Sequence, residues 1–206
     1  MRRTNLSQIG INEAAARAAA VLRAGGVVLY PTDTLYALGA DALSDAAVDT
    51  IFEIKGRRND KPMHAIVSNI EMAERYGAVN EMVRSLAARF PKGTLSFVVP
   101  KREIDTGICR GIETFGFRIP DNAFCMALTQ VFGAPITATS ANASGFVPLR
   151  SVDDILAQLG ASAVHIDLVI DAGELPEVLP STVVDCTGDM SKVLREGSVP
   201  AKEIVP

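Results

Sequence analysis

The chain has 206 residues, a length that suits one domain. Hydrophobic residues make up 48% of it and charged residues 21%, a composition that does not fit a disordered, collagen-like or coiled-coil chain. The 24 acidic and 20 basic side chains leave a formal net charge of -4, which argues against a broadly basic nucleic-acid-binding protein. Any anion site must therefore be local.

Cysteine and histidine are scarce, which limits the metal sites and catalytic sites that the chain can form. Cys109, Cys125 and Cys186 match neither the spacing of zinc ligands nor a disulfide framework, which favours a reducing cytoplasm. With two histidines, His64 and His165, a site built on several imidazoles is excluded, and so is a protein-ligated metal of that kind. No signal peptide and no apolar run near the roughly 20 residues needed to span a bilayer occur, so we expect a soluble, unexported protein.

Hydrophobic periodicity and turn residues predict helices that alternate with strands. Helices are predicted over residues 12–24, 44–55, 121–132 and 151–160, with one more that follows a cap at Ser68 and one that lies between Asn80 and Pro91. The predicted strands cover residues 27–30, 65–68, 95–99, 115–119, 136–139, 164–170, 182–186 and 192–194. This order predicts an α/β (α+β) fold, a mixed sheet flanked by helices, in one domain over residues 1–206.

A polar segment follows the first predicted strand. Pro31 ends that strand, and Thr32, Asp33 and Thr34 come directly after it. Ligands of open α/β sheets bind at the carboxyl ends of strands, so this turn is a candidate binding segment.

Basic residues are concentrated after the second long helix, in the segment Lys55-Gly-Arg57-Arg58-Asn-Asp-Lys61. One or two of these cations would be explained by their interaction with the partial negative charge at the carbonyl end of the helix. Four of them in seven residues favour an anion site, because arginine offers a fork to phosphate or carboxylate and lysine a compact charge.

Two further segments combine small polar side chains with glycine. In Thr137 to Gly145, Ser140 and Asn142 follow a strand, although serine and asparagine also satisfy turn backbone groups routinely. In the second segment, Ser181 lies at the start of a strand and Arg195 at the end of one.

The sequence contains neither a P-loop nor the G-x-G-x-x-G fingerprint, so any nucleotide is bound without these motifs. His64 and His165 lack triad companions and are interpreted as structural.

Together these segments resemble the YrdC-like family, the threonylcarbamoyl-AMP synthases, from about Leu22 to Gly197. The resemblance rests on an ordered set of motifs. They are GGVVLYPTDTLYALGADA, Lys55-x-Arg57, Thr114-Phe-Gly-Phe-Arg118-Ile-Pro, Ser140-Ala-Asn142, Pro180-Ser181-Thr-Val-Val-Asp and Arg195-Glu-Gly197.

The resemblance implies a twisted mixed sheet flanked by helices, with a concave, positively lined cavity. It also implies that L-threonine, bicarbonate and ATP, the last with magnesium, are joined to threonylcarbamoyl-AMP and pyrophosphate, and that the product serves a tRNA adenosine modification through downstream threonylcarbamoyl-transfer proteins. The resemblance also implies contact with tRNA or double-stranded RNA, and no association with a membrane.

By position, the resemblance implies two groups of site residues. Lys55 and Arg57 would act catalytically on the ATP phosphates and the developing carboxylate. ATP would also contact Lys61, Thr114, Asn142, Ser151 and Arg195. Threonine would contact Thr34, Arg118, Ser140 and Ser181, with the Arg118 guanidinium on its carboxylate.

The chain departs from the family pattern at four positions. Arg58 replaces a proline, Lys61 an asparagine, Ile66 a histidine and Ala37 a glycine. His64 would face the same way as Ile66 if the strand is regular.

Two alternatives stay open. One is a non-catalytic RNA-binding module with Lys55, Arg57, Arg58, Lys61 and Arg110 on phosphates, for which the net charge and the 5% aromatic content are unfavourable. The other is an adenylating enzyme with a different acceptor.

Overall fold

The computed structural model describes residues 1–56 and 62–204, and within them the strands form two mixed sheets. The mixed α/β class predicted from the sequence is confirmed. The 136–139 segment, predicted as one strand, breaks at Ala138 into two short strands that pair at the edges of different sheets.

The first sheet has five strands in the order β1-β9-β2-β3-β8. Their bounds are β1 Arg2–Asn5, β2 Val28–Pro31, β3 Tyr36–Gly39, β8 Thr139–Ser140 and β9 Leu168–Asp171. β1, β9 and β2 run parallel, while β3 pairs antiparallel with both β2 and β8. The turn between β2 and β3 therefore lies at one end of this sheet.

The second sheet has six strands in the order β11-β10-β5-β6-β4-β7. Their bounds are β4 His64–Ile66, β5 Leu95–Pro100, β6 Thr114–Arg118, β7 Ile136–Thr137, β10 Thr182–Asp185 and β11 Lys192–Arg195. β6 lies between β5, which is antiparallel to it, and β4, which is parallel. Arg118 ends β6 and so lies near the middle of this sheet.

Helices cover the sheets. The α-helices are α1 Leu6–Ile9, α2 Ile11–Arg23, α3 Asp45–Lys55, α4 Ile70–Glu74, α5 Glu81–Arg89, α6 Ala123–Phe132, α7 Val152–Leu159 and α8 Ala201–Ile204. Two 3-10 helices cover Gly107–Cys109 and Gly160–His165. No helix in the described part of the chain is long and apolar enough to cross a lipid bilayer.

Two apolar cores stabilise this arrangement. One packs the alanine-rich face of α2 and Phe124 and Leu128 of α6 against Val28 and Tyr30 of β2. The other lies on the opposite face of the first sheet and includes side chains from α3, α5 and the second sheet. β2, in the middle of the first sheet, is thus buried on both faces, which explains its continuously apolar sequence.

Side-chain caps fix several helix starts as the sequence indicated. Ser44, Asn80 and Ser151 each accept a hydrogen bond from a backbone N–H of the first turn of the following helix. The predicted cap at Ser68 is wrong, because Asn69 accepts the bond from Met72 N, at 2.8 Å. The helix predicted from residue 121 begins at Ala123, with Asn122 as its cap.

The predicted strand over 164–170 is partly wrong. Residues 160–165 form a 3-10 helix with Val164 76% exposed, and only Leu168–Asp171 forms a strand. β1 and β3 were not predicted at all. β3 lacks alternation because all four of its residues are buried.

Gly197 is a close-packed position that shapes the cavity end of β10 and β11. A Cβ atom on Gly197 would lie 2.1 Å from the carbonyl oxygen of Pro180, whereas one on Gly188 would meet nothing within 4 Å. We expect Gly197→Ala to lower the free energy of unfolding by about 1–3 kcal/mol through overpacking. Urea denaturation measures this.

Gly188→Ala is the matched control, and it should change the free energy of unfolding by no more than about 0.5 kcal/mol. Equal stabilities for the two variants would contradict this account of Gly197.

Candidate active site

A cavity of about 870 Å³ opens between the two sheets. The first sheet contributes the turn from Thr32 to Leu35 and the start of β3, and the second contributes residues of β4, β5 and β6. Two loops, 147–151 and 174–181, close the sides. The cavity therefore lies where the sequence placed its polar strand ends.

Strand register sets the floor of the cavity. Ile66 of β4 pairs with Arg118 of β6. On the other side of β6, Phe97 of β5 pairs with Phe117, so Ser96, the residue before Phe97, lies beside Arg118. All three of Ile66, Arg118 and Ser96 line the cavity. The alternating burial of β6 places Arg118 on the polar face, as its sequence pattern predicted.

The Arg118 guanidinium is held from the first sheet. Its Nη2 donates to Oδ1 of Asp33 in an ion pair whose side chains are only 12% and 15% exposed, and its Nη1 lies 3.3 Å from Oγ1 of Thr34. A nearly buried arginine fixed in this way is preorganised for a second anion, because a guanidinium offers five N–H donors.

The Thr32–Thr34 turn is itself fixed by Thr32. Its Oγ1 accepts from the backbone N–H of Thr34 at 3.1 Å and donates to the carbonyl oxygen of Leu35 at 2.7 Å. This local bonding presents Asp33 and Thr34 to the cavity.

Lys55 ends α3 and is 3% exposed. Its Nζ donates to the carbonyl oxygens of Ser140 and Asn142, the latter at 2.9 Å, and lies 3.2 Å from Oδ1 of Asn142. The ammonium thus organises the Ser140–Asn142 segment, which faces the cavity through Ser140.

Asn142 is 8% exposed, and it shapes this segment rather than lining the cavity. Its Oδ1 accepts from Oγ of Ser140 at 2.6 Å, and its Nδ2 donates to the carbonyl oxygens of Ala143 and Phe146. In this structure Asn142 satisfies turn backbone groups, which is the structural alternative raised by the sequence.

Ser181, Ser151 and Arg195 all line the cavity. Oγ of Ser181 is 2.9 Å from Oγ of Ser96, and Nη2 of Arg195 donates to the carbonyl oxygen of Ser181 at 2.8 Å. Ser151 also caps α7. Three separate sequence motifs therefore meet at one site.

Thr114 lies at the far end of β6, four residues from Arg118, or about 13 Å along the strand. It shares the face of Arg118 but does not line the cavity. Arg57, Arg58 and Lys61 lie outside the described residues. The described lining residues include three arginines and four acidic residues, so the predicted positive lining stays a prediction.

His64 lines the cavity beside Ile66, as the regular strand predicted. Its ring lies over Gly116, where a Cβ atom would come within 2.6 Å of the ring. Burial, together with the charges of Arg195 and Arg118, lowers the pKa of His64 to about 4. A neutral imidazole therefore lies near two guanidinium groups.

The three cysteines are free and buried, as the sequence indicated. Burial raises the pKa of Cys109 and of Cys186 to about 11 and raises that of Cys125 still more. These thiols are protonated at neutral pH and so are not nucleophiles.

Sequence reasoning missed the contributions of Asp33 and Ser96. Asp33 was placed in the polar turn without a role, and its pairing with Arg118 joins residues 85 apart in sequence. The signal for Ser96 was present, because buried Leu95, Phe97 and Val99 alternate with it and direct it to the other face.

The profile of the Sua5/YciO/YrdC family, which carries the description "Telomere recombination", matches residues 20–197. The chain belongs to this family. Its resemblance to the threonylcarbamoyl-AMP synthases is thereby confirmed at the level of the family.

Two curated relatives illustrate the similarity. The threonylcarbamoyl-AMP synthase of Bacillus subtilis is 34% identical over 192 residues, which cover 92% of this chain and 55% of the relative. A putative threonylcarbamoyl-AMP synthase of Mycobacterium tuberculosis is 35% identical over 193 residues, covering 91% and 85%. The chain spans about half the length of the first of these relatives.

Solved structures agree in fold. Sua5 of Pyrococcus abyssi in complex with L-threonine superposes with a TM-score of 0.87 at 33% identity, over 98% of this chain and 59% of that one. E. coli YciO superposes with a TM-score of 0.81 at 24% identity, over 99% and 97%, and shows the shared fold alone.

The low pKa of His64 makes the stability of the fold depend on pH. The unfolded chain binds a proton at this side chain below about pH 6.5, whereas the folded chain does so only near pH 4. Stability is therefore lost as pH falls from 6.5 to 4, by about 3 kcal/mol from this group. Urea denaturation across this range should show a shallower loss for His64→Gln than for the unmodified chain.

Gln8→Ala, at an exposed residue without a titratable side chain, provides the control and should leave the pH dependence unchanged. Parallel pH profiles for His64→Gln and the unmodified chain would contradict the assignment.

Proposed function

We propose that this chain is an L-threonylcarbamoyladenylate synthase, which joins L-threonine, bicarbonate and ATP and releases pyrophosphate. The observation that carries the proposal is the Arg118 guanidinium, held in a cavity beside Thr34, Ser140 and Ser181. These are the residues that the resemblance relates to threonine, and a family member of the same fold, Sua5, has been crystallised with L-threonine.

The reaction needs two new bonds. The amino nitrogen of threonine attacks the carbon derived from bicarbonate, and a carbamate forms with loss of water. A carbamate oxygen then attacks the α-phosphorus of ATP, and pyrophosphate leaves with the bonding electrons. Both steps depend on positioning and charge neutralisation more than on a protein acid or base.

On the threonine side, Arg118 would bind the α-carboxylate, because a guanidinium is a strong hydrogen-bond donor to carboxylates. The hydroxyl groups of Thr34, Ser140 and Ser181 surround the same space and would hold the remaining polar atoms. His64, neutral above its pKa of about 4, adds no positive charge here at neutral pH.

On the ATP side, we assign Lys55 and Arg57 to the phosphates and the developing charge, with Lys61, Thr114, Asn142, Ser151 and Arg195 as further contacts. Nζ of Lys55 bonds to the carbonyl oxygens of Ser140 and Asn142 and lies 3.2 Å from Oδ1 of Asn142, so a phosphate that reaches its ammonium would compete with these oxygens. Phosphate binding and the shape of the Ser140–Asn142 segment are then coupled.

ATP would arrive as its magnesium complex, since adenylyl transfer needs the phosphate charge to be neutralised. The proposal includes a cytoplasmic site of action, use of the product in tRNA adenosine modification, and transfer proteins that accept it. Within residues 1–56 and 62–204, no three His, Cys, Asp or Glu side chains come together as a metal site.

Pyrophosphate release by the purified chain tests the proposal. With ATP, magnesium and bicarbonate, release should require L-threonine. Arg118→Ala should lower kcat/KM for threonine by about 100-fold, as expected when a charged interaction of about 3 kcal/mol is lost.

Arg75→Ala, on an exposed side chain, is the control and should leave kcat/KM unchanged. Pyrophosphate release that does not depend on threonine would indicate an adenylating enzyme with a different acceptor. Affinity for RNA that falls steeply with salt, without any release, would favour the RNA-binding alternative.

A further inference from the structure

Asp33 is the acidic side chain closest to the proposed threonine anchor. It lies between β2 and β3, lines the cavity, and pairs with Arg118. No motif assigned it a role, because its significance depends on a residue in the other sheet.

The position of the Asp33 carboxylate is fixed by the backbone around it. Gly93, with φ of +79°, lies so close that a Cβ atom would come within 2.0 Å of Oδ2 of Asp33. The backbone N–H of Asp121 lies 3.4 Å from the same oxygen. A side chain at residue 93 would therefore collide with the carboxylate in this position.

The carboxylate has further capacity to accept hydrogen bonds. A carboxylate offers about four lone-pair positions, and Asp33 uses one on Arg118 and a long contact on the N–H of Asp121. Because 15% of the side chain is exposed and the residue lines the cavity, a ligand can reach it.

The Asp33 and Arg118 pair thus presents a negative and a positive group side by side on one wall. An α-amino acid carries the complementary arrangement, a carboxylate and an ammonium group on one carbon. A carboxylic acid without the amino group would place a second carboxylate beside Asp33 with no donor to offset the repulsion, and opposed like charges reject a wrong ligand.

We propose that Asp33 determines specificity by accepting a hydrogen bond from the α-amino group of the amino acid whose carboxylate lies on Arg118. The cavity then selects α-amino acids over otherwise identical carboxylic acids. The ammonium group passes one proton to bulk water to become the nucleophilic amine, and its two remaining N–H groups still donate to Asp33. The inference rests on the proposed function and names the group that recognises the amine.

Calorimetric titration with L-threonine and with 3-hydroxybutanoate, which is threonine without its amino group, tests the inference. The unmodified chain should prefer threonine by about 100-fold or more, since a hydrogen bond to a charged group and a repulsion both contribute. Asp33→Asn should reduce this preference below about tenfold, because it weakens the binding of threonine and strengthens the binding of 3-hydroxybutanoate.

Glu177→Gln is the matched control, because Glu177 is an 88% exposed carboxylate that also lines the cavity. It should keep the full preference. An equal loss in Glu177→Gln and Asp33→Asn would overturn the inference, because the total charge of the cavity would then explain selection. Unchanged preference in Asp33→Asn would overturn it as well.

Asp33→Glu keeps the charge and provides a second variant if Asp33→Asn does not fold. It should retain at least a tenfold preference for threonine, and loss of that preference would count against Asp33. If the unmodified chain binds neither ligand, the proposed function is contradicted and the inference falls with it. If the chain binds threonine selectively and only the variants disagree, the proposed function stands alone.

Discussion

The ion pair between Asp33 and Arg118 joins the two sheets across the cavity. Asp33 belongs to a turn of the first sheet and Arg118 to a central strand of the second. Both side chains are nearly buried, and a buried charge is costly unless it is paired, so the two sheets must keep the separation that lets these groups meet. The geometry of the proposed threonine site depends on this constraint.

A hydrogen bond away from this ion pair also joins the two sheets. The hydroxyl of Tyr30, in β2, donates to the carbonyl oxygen of Thr137 in β7 at 2.9 Å. β8 of the first sheet begins two residues after Thr137, and Nζ of Lys55, from α3, binds the carbonyl oxygens of Ser140 in β8 and of Asn142 just beyond it. The cavity is therefore built from secondary-structure ends whose positions are fixed by buried hydrogen bonds.

Much of this could be predicted from sequence, because local signals carried it. Glycine stops, side-chain caps and apolar periodicity gave the helices α2, α3, α5 and α7, and the alternation around Arg118 gave its polar face. The division into two sheets was not predictable, since it depends on pairings between strands far apart in sequence, such as β2 with β9 and β5 with β10. β3 was missed because its four residues, Tyr-Ala-Leu-Gly, include alanine and glycine, which are depleted in strands.

For the candidate site too, some features could be predicted from the sequence and others could not. The polar turn after β2, Ser140, Ser181 and Arg195 were identified as polar residues at strand ends, and the structure brings them to one cavity. The resemblance also implied contacts for Thr114 and Asn142, which do not line this cavity. Pairing of Asp33 with Arg118 was not predictable, because no local pattern relates residues 85 apart.

A crystal structure of the chain with L-threonine bound would test the central claim most directly. We expect the α-carboxylate within hydrogen-bond distance of the Arg118 guanidinium, between the two sheets, with the Asp33 pair to Arg118 intact. Threonine bound away from Arg118, or an Arg118 side chain turned out of the cavity with threonine in place, would contradict the account.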